Sequence, residues 1–437
     1  MKINREILRL ALPNIVSGIT VPLLGAVSLA MMGYLDSLVY IGALSIGSMI
    51  FNFLYWGFGF LRMGTTGFTA QAFGRMSSLE TVQILARGLL IGLTIAFTIL
   101  LLQKPILHLA VVLIHPSAEL TEAVSSYFLI RVWAAPTVLC FFVVSGWLIG
   151  MQDTKTLMWI SILINVLNVI FNYLFIFVFD IRNTNGAAIG TVCAQYCGFV
   201  ITVSVLQIKY RVISQLFSRV VLRAVSDMRA LRRFLSVNTD IFIRTLCFIF
   251  VFAFFTAESA HYGEQILVMN TLLYQFYIFF SYACDGFAHA AEALSGRFTG
   301  SGENADKRRS IGYSFLWGAG ITLLFLFTYA IGYNEILSMF TSDSGVLNLA
   351  DSYYWWILFV TLVGMPAFLW DGVFAGSLQT RPLVYTMLFA TVGFFGTYYL
   401  LQNQLGNNAL WLALTVFLIV RGLCLTLWSG KVIPKHL

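Results

Sequence analysis

The chain has 437 residues, of which 59% are hydrophobic and 10% charged, and its mean hydropathy is +0.85. Soluble domains contain about 45–50% apolar and about 25% charged residues, so this composition excludes a water-soluble globular protein. The net charge of +7 does not indicate nucleic-acid binding, because the basic residues of a membrane protein concentrate in its cytoplasmic segments.

Twelve apolar runs are long enough to cross a bilayer, which takes about 20 residues per helix. We therefore expect an all-α polytopic membrane protein. No small-residue cleavage site follows the first run, so it is predicted to be a retained helix rather than a signal peptide. The predicted spans are residues 7–34, 41–72, 84–114, 123–150, 156–178, 186–208, 234–260, 265–294, 310–331, 347–377, 383–401 and 408–428.

The basic residues support this count and predict the orientation. If the amino terminus is cytoplasmic, twenty Lys and Arg residues fall in cytoplasmic segments or at the cytoplasmic ends of spans, and only Lys104 and Arg182 fall on the outer side. The positive-inside rule therefore predicts that both termini are cytoplasmic. The cytoplasmic set is Lys2, Arg5, Arg9, Arg75, Arg87, Lys155, Lys209, Arg211, Arg219, Arg223, Arg229, Arg232, Arg233, Arg297, Lys307, Arg308, Arg309, Arg381, Lys431 and Lys435.

The longest polar interval divides the spans six and six. We predict an amino-terminal lobe over residues 1–208, a basic cytoplasmic linker over 209–233 and a carboxy-terminal lobe over 234–437. Repeats with an even number of spans share one orientation, which predicts a pseudo-two-fold axis along the membrane normal and a cavity between the halves. Alternatively, the repeated positions do not reflect a duplication, because glycines and basic residues recur in the cytoplasmic loops of unrelated membrane proteins. The repeated positions are Gly146, Gly150, Thr154 and Lys155, which recur as Gly372, Gly376, Thr380 and Arg381.

We assign few ionisable residues to the membrane interior, and the four acids assigned to it all lie in the second half of the chain. An unpaired charge at mid-bilayer costs at least about 2.5 kcal/mol, so each embedded ionisable side chain should face the bundle interior or water. The six cysteines form no CxxC pair and have no His at ligand spacing, so we expect no metal site and no cofactor. The embedded residues are Asp240, Asp285, Glu292 and Asp371, with Arg62, Arg131, Arg244 and Arg421.

Three polar residues share one stripe of the eighth predicted helix, because Asp285, His289 and Glu292 are spaced i, i+4 and i+7. Embedded carboxylates can exchange protons or hold a cation together with carbonyl oxygens. Alternatively, His289 and Glu292 lie near the cytoplasmic end and are hydrated. Asp285 and Asp371 are the principal ion-coupling candidates.

On the seventh predicted helix, Asp240 and Arg244 are one turn apart. This spacing favours an internal ion pair between them. Such a pair can still tune a nearby coupling site, so both residues are also candidates.

The first half carries neutral polar groups at its candidate positions. Asn168 and Asn172 lie on one face of the fifth helix, and Ser28 lies on the first. These groups either hold neighbouring helices together or line a substrate cavity, to which Met31 would add an apolar contact. Pro13 removes a backbone hydrogen bond in the first helix and predicts a hinge.

Four motifs resemble the multidrug and toxic compound extrusion (MATE) transporters, and within them the DinF-like branch. They are LRLALPN at residues 8–14, WGFGFLRMGTTG at 56–67, DIFIRT at 240–245 and SYACDGFAHAAEAL at 281–294. The resemblance covers most of the chain. It implies two six-helix lobes forming a V, cytoplasmic termini, and export of substrate in exchange for inward protons or sodium ions.

The chain departs from this family pattern at two positions of the first lobe. The aspartate that the pattern has in the first helix is Ser28 here, and the aspartate of the fifth helix is Asn172. Neither side chain can titrate. We therefore expect coupling to reside on the carboxy-terminal lobe, at Asp285, Asp371, Glu292 and Asp240.

The leading hypothesis is a secondary active exporter of small organic molecules that works by alternating access in a bacterial inner membrane. Its expected partners are a small-molecule substrate and membrane lipids, without nucleic acid, and a monomer is expected. No loop carries the His, Asp and Glu cluster that a membrane-embedded transferase needs, so an enzyme is not expected. The alternatives are a lipid or glycolipid flippase, which would hold a phosphate with embedded arginines, and a non-transporting sensor.

Overall fold

The computed structural model describes residues 2–35, 38–181, 183–225, 227–341 and 343–433, and within them the chain is helical without strands. Twelve helices in these ranges are long and apolar enough to cross a membrane, which confirms the predicted fold class. Two predicted loop charges, Arg182 and Lys435, lie outside the described residues. The helices are α1 Lys2–Gly33, α2 Val39–Gly74, α3 Ser78–Leu101, α4 Ala118–Gly150, α5 Thr154–Val178, α6 Thr184–Tyr210, α7 Met228–His261, α8 Glu264–Ser301, α9 Asn304–Ser338, α10 Tyr354–Gly376, α11 Arg381–Leu405 and α12 Asn407–Leu427.

Three predicted spans each contain a break that hydropathy does not reveal. Within the predicted span 41–72, a turn at residues 57–59 separates the helical segments Leu38–Trp56 and Phe60–Gly74. The predicted span 84–114 ends as α3 at Leu101, and a separate helix follows over Gln103–Ile114. Pro105 has no N–H to donate to the Leu101 carbonyl, which accounts for the interruption. The predicted span 347–377 similarly consists of a short helix, Ser344–Asp351, followed by α10.

The basic interval between the predicted lobes is largely helical. It contains the short helices Val212–Leu216 and Arg219–Val225, and α7 already begins at Met228. Arg211 ends α6 in the left-handed conformation, with φ of 52°, and so turns the chain out of that helix.

The chain divides into two compact units. The amino unit comprises Val16–Ala72 and Ser77–Leu235, and the carboxy unit comprises Met1–Ile15, Phe73–Met76 and Ser236–Leu437. The first turns of α1 therefore pack with the carboxy-terminal helices.

Two side-chain contacts fix this first part of α1 within the carboxy unit. Trp317 of α9 donates its indole N–H to Asn4, and Arg297 of α8 lies 3.5 Å from Glu6. Helix α1 runs unbroken through Pro13, and the division between the units follows Ile15. The hinge role of Pro13 stays a prediction.

The repeated glycines make the same contact within each unit. A Cβ atom on Gly146 would lie 2.2 Å from the Arg62 carbonyl oxygen, and one on Gly372 would lie 2.2 Å from the Ala288 carbonyl oxygen. Both members of the first pair are 226 positions before those of the second. Only a residue without a Cβ lets two helix backbones approach so closely. This shared geometry is what an internal duplication predicts.

A buried amide network joins α7, α8 and α12 in the carboxy unit. Asn270 donates to Ser259 at 2.7 Å and to Asn407 at 2.8 Å, and it accepts the indole N–H of Trp411 at 2.8 Å. Asn270 is 1% exposed, so these bonds satisfy a polar group that would otherwise be costly to bury. The network fixes the positions of the three helices relative to one another.

Candidate functional site

Asp371 of α10 lies between two arginines inside the carboxy unit. Arg421 of α12 donates a guanidinium N–H to Asp371 Oδ2 across 2.6 Å, and Arg244 of α7 donates to the same oxygen. The Arg421 side chain is 1% exposed and that of Asp371 is 8% exposed. The trio carries two positive charges and one negative, a sum of +1. Two short charge-assisted bonds to one carboxylate offset much of the cost of burying these charges.

The predicted ion pair within α7 is wrong. Arg244 reaches Asp371 on α10 rather than Asp240 one turn away, and Asp240 accepts the Thr380 hydroxyl at 2.6 Å. Asp371 is buried whereas Asp240 is half-buried. The Asp371 carboxylate has lost more of its contact with water, so it gains more from a hydrogen bond with Arg244 than the Asp240 carboxylate would. Helical spacing alone cannot predict a preference that depends on a residue of another helix.

Aromatic rings surround the Arg421 guanidinium. Its central carbon lies 5.4 Å from the Phe248 and Phe417 ring centroids and 5.9 Å from that of Phe368. Arg421 Nε and Nη1 have no hydrogen-bond acceptor within the described parts of the chain. The electron-rich ring faces therefore supply the remaining stabilisation of this cation, at about 0.5–2 kcal/mol per ring. The sequence marks Arg421 as an embedded base, but no local pattern identifies its partner.

Asp285 lies near this trio on the neighbouring helix α8. It is half-buried, and it is within electrostatic range of the Tyr277 and Tyr282 hydroxyls. The Tyr277 ring lies 6.2 Å from Phe368, which also contacts Arg421. The predicted coupling residues Asp285 and Asp371 therefore belong to one region of the carboxy unit.

The two other polar positions of the α8 stripe differ in exposure. Glu292 is 1% exposed, and its backbone carbonyl oxygen lies 2.0 Å from where a Cβ of Gly376 would stand, so its burial contradicts the alternative of a hydrated helix end for this residue. His289 is half-buried. No group of three His, Cys, Asp or Glu side chains suited to a metal ion occurs in the described ranges. A cation at Asp285 would need neutral oxygens as further ligands.

In the amino unit, the structure brings Ser28, Asn168 and Asn172 together as a neutral cluster. Asn172 donates to the Asn168 amide oxygen at 2.9 Å and to the Ser28 hydroxyl at 3.5 Å. Asn172 is 1% exposed, and a Cβ on Gly190 of α6 would lie 2.4 Å from its amide oxygen. These contacts join α5 to α1 and leave no titratable group at the two positions. Met31 is half-buried one turn further along α1.

The chain is similar to known proteins along most of its length. The MatE family model matches residues 13–174 and 241–398. DNA damage-inducible protein F of Escherichia coli (strain K12) is 35% identical over 424 residues, which are 97% of this chain and 91% of that protein.

Solved structures show the same fold. The crystal structure of MATE in the straight conformation has a TM-score of 0.87 at 17% identity, covering 99% of this chain and 96% of that one. A MOP superfamily transporter from Pyrococcus furiosus has a TM-score of 0.84 at 16% identity, with 99% and 96% covered. These likenesses agree with the all-helical, twelve-span architecture.

Proposed function

Because this chain belongs to the multidrug and toxic compound extrusion (MATE) family, whose members are transporters and not enzymes, we propose that it is a secondary active exporter working by alternating access. Its twelve apolar helices make it a multi-pass membrane protein. The proposal places it in a bacterial inner membrane with both termini cytoplasmic, in accordance with the distribution of basic residues.

We further propose that inward movement of a proton or a sodium ion drives export through the carboxy unit. The observation that carries this proposal is the contrast between the units. Ser28 and Asn172 form a neutral hydrogen-bonded cluster in one, whereas Asp285, Arg244 and Arg421 all lie within electrostatic range of the Tyr277 hydroxyl in the other. Asp285 is the principal coupling residue of the proposal because it is half-buried and so within reach of a cation.

Asp371 has a different place in this scheme. Its two arginine partners weigh against a role as the site where a cation binds and leaves, since each binding event would neutralise the carboxylate and leave the two guanidinium groups without their counter-charge. We propose that Asp371 is a fixed charge that positions Arg244 near Asp285. Asp240 and Glu292 remain candidates for secondary coupling roles.

One coupling site is energetically sufficient for export. A single charge moving down about 100 mV supplies roughly 2.3 kcal/mol, and this corresponds to about a 50-fold substrate gradient. The amino unit offers a cationic substrate no carboxylate at positions 28 and 172. The substrate range of the proposal therefore includes neutral, zwitterionic and anionic organic molecules.

Reconstitution into proteoliposomes tests the proposed function. Vesicles with an imposed pH gradient or an imposed sodium gradient are loaded with cationic, zwitterionic and anionic fluorescent compounds, and efflux is recorded against gradient-free vesicles. We expect at least one class of compound to move faster with one of the two gradients. Transport that is indifferent to both gradients would contradict cation coupling, and the absence of any transport would favour a sensor.

A further inference from the structure

Arg131 of α4 is an embedded cation without an acidic partner among the described residues. Its hydrogen bonds are instead with hydroxyls: one guanidinium nitrogen, Nη1, donates to Ser48 Oγ at 3.2 Å and to the Tyr127 hydroxyl. Two other embedded arginines, Arg244 and Arg421, share the carboxylate of Asp371. Arg131 thus differs from them in having only uncharged partners.

Arg131 is placed well inside the membrane-spanning part of the amino unit. It lies about 20 Å along the helix axis from Ala118, the first residue of α4. It is half-buried, so its Nε and Nη2 atoms, which donate to no acceptor in the described ranges, can be reached by a ligand.

The surroundings of Arg131 are aromatic and preorganised. The guanidinium carbon lies 4.7 Å from the Phe51 ring centroid and 5.4 Å from that of Tyr127. Tyr127 is 1% exposed, and a Cβ on Gly47 would lie 2.4 Å from its ring, so the glycine of α2 is required for this packing. The ring faces attract the cation but carry no net negative charge. The positive charge of Arg131 therefore remains unneutralised.

A second unsatisfied donor belongs to the same aromatic cluster as this arginine. The Tyr55 hydroxyl is buried without a hydrogen-bond partner in the part of the chain that the structure describes. Its ring lies 5.6 Å from Phe51, and it is within electrostatic range of Arg131. An oxyanion is the ligand that satisfies a guanidinium fork and a nearby hydroxyl together.

We propose that Arg131, with Ser48 and Tyr55, binds the carboxylate or phosphate group of an organic anion. The guanidinium supplies charge and two directed N–H groups, and the hydroxyls select an acceptor. The oxyanion belongs either to a soluble organic acid or to a lipid headgroup, and both share this chemistry. The inference concerns binding within the amino unit, so it does not depend on cation coupling.

Binding to the purified full-length protein tests this site. The midpoint of thermal unfolding is measured in a nonionic detergent with increasing naphthoate, and with neutral naphthamide for comparison. A parallel pair of titrations uses dihexanoyl phosphatidylglycerol and dihexanoyl phosphatidylcholine. We expect Arg131→Gln to weaken binding of an anionic probe by roughly 10-fold or more, because a charge-assisted bond is lost, and to leave the neutral probe unchanged.

The matched control is Lys104→Gln, which removes an exposed positive charge that is predicted to lie on the outer side. It should leave the affinity for both anions unchanged. Arg131→Lys should retain part of the affinity, since it keeps the charge without the planar fork, and Tyr55→Phe should weaken anion binding several-fold. If Arg131→Gln does not fold, the anion affinities of these two variants test the proposal.

The outcomes separate the sources of the anion. Arginine-dependent binding of naphthoate alone supports a soluble acid, and that of phosphatidylglycerol alone supports a lipid headgroup. If neither anion distinguishes the wild type from the Arg131 and Tyr55 variants, or if Lys104→Gln weakens binding equally, the proposed site is wrong.

Discussion

Arg421 and Asp371 are joined by a buried hydrogen bond of 2.6 Å that ties α12 to α10. Arg244 donates to the same carboxylate oxygen and adds α7 to this junction. Three helices of the carboxy unit therefore depend on one negative charge. Its removal would leave Arg244 and the buried Arg421 without their counter-charge.

Asp371→Asn should consequently destabilise the protein by about 3–5 kcal/mol, the usual cost of breaking a buried ion pair from one side. Adding Arg244→Gln should recover part of this loss, because one of the two uncompensated charges is then removed as well. Thermal unfolding in detergent measures both effects. Asp306→Asn is the matched control, because its pair with Arg309 is largely exposed and should contribute little. If Asp371→Asn and Asp306→Asn unfold at the same temperature, the junction is not structural.

The repeated glycine contacts predict equal sensitivity in the two units. Gly146→Ala and Gly372→Ala should each destabilise the protein by about 1–3 kcal/mol or more, because the added methyl group meets a backbone carbonyl. Gly396→Ala is the control, since no atom lies within 4 Å of its added Cβ, and it should change stability by at most about 1 kcal/mol. The thermal unfolding temperatures of the three variants, each compared with that of the wild type, measure these effects. Tolerance of alanine at both 146 and 372 would argue against the shared close approach.

Asp153, between α4 and α5, predicts a pH dependence of stability. Partial burial would raise the pKa of Asp153, but hydrogen bonds from Lys209, Thr156 and Tyr210 outweigh it and hold the pKa below its usual value. A depressed folded-state pKa means that the ionised carboxylate stabilises the fold. This contribution is present above about pH 4 and is lost as the pH falls through the folded-state pKa.

Asp153→Asn should therefore cost about 1 kcal/mol at neutral pH, a modest value because Lys209 is 47% exposed. The difference between the variant and the wild type should shrink below about pH 4. Unfolding temperatures of both proteins between neutral and acidic pH measure it. A difference that stays constant over this range would show that the charge of Asp153 is not involved.

The neutral cluster of the amino unit predicts a separation of stability from coupling. Asn172→Ala removes the 2.9 Å bond to Asn168 and should destabilise the protein by about 1–3 kcal/mol. It should leave the dependence of transport on the imposed gradient unchanged, because no proton or cation is assigned to this cluster. Asn165→Ala, which removes a bond of 2.9 Å at a half-buried position, is the control for general loosening of α5. Loss of gradient dependence in Asn172→Ala alone would place coupling in the amino unit.

Hydropathy and charge were sufficient to predict twelve helices, because a spanning helix requires a long apolar run whatever its neighbours are. They were insufficient to predict where a run is interrupted. Apolar residues continue from α3 across Leu102 into the next helix, and the break follows from the missing N–H of Pro105. The boundaries of helices thus depend on single residues, whose effect is lost when hydropathy is averaged over a window of residues.

The candidate site was predictable to the extent that its residues share one helix or one motif. Asn168 and Asn172 lie one turn apart on α5 and do meet, as does Ser28 from α1. The partner of Asp371 was not predictable in this way, because Arg421 follows it by 50 positions on another helix. Asn270 was missed altogether, although a lone amide in an apolar helix indicates a buried hydrogen-bond partner.

Gradient-driven transport by Asp285→Asn tests the proposed coupling most directly. Wild-type protein, Asp285→Asn and Asn172→Ala are reconstituted in equal amounts, and substrate efflux is compared with and without the effective pH or sodium gradient. We predict that Asp285→Asn loses at least about 90% of the gradient-driven rate, because the amide cannot carry the coupling charge, while Asn172→Ala retains its gradient response. Undiminished gradient-driven transport by a folded Asp285→Asn protein would contradict coupling at this residue.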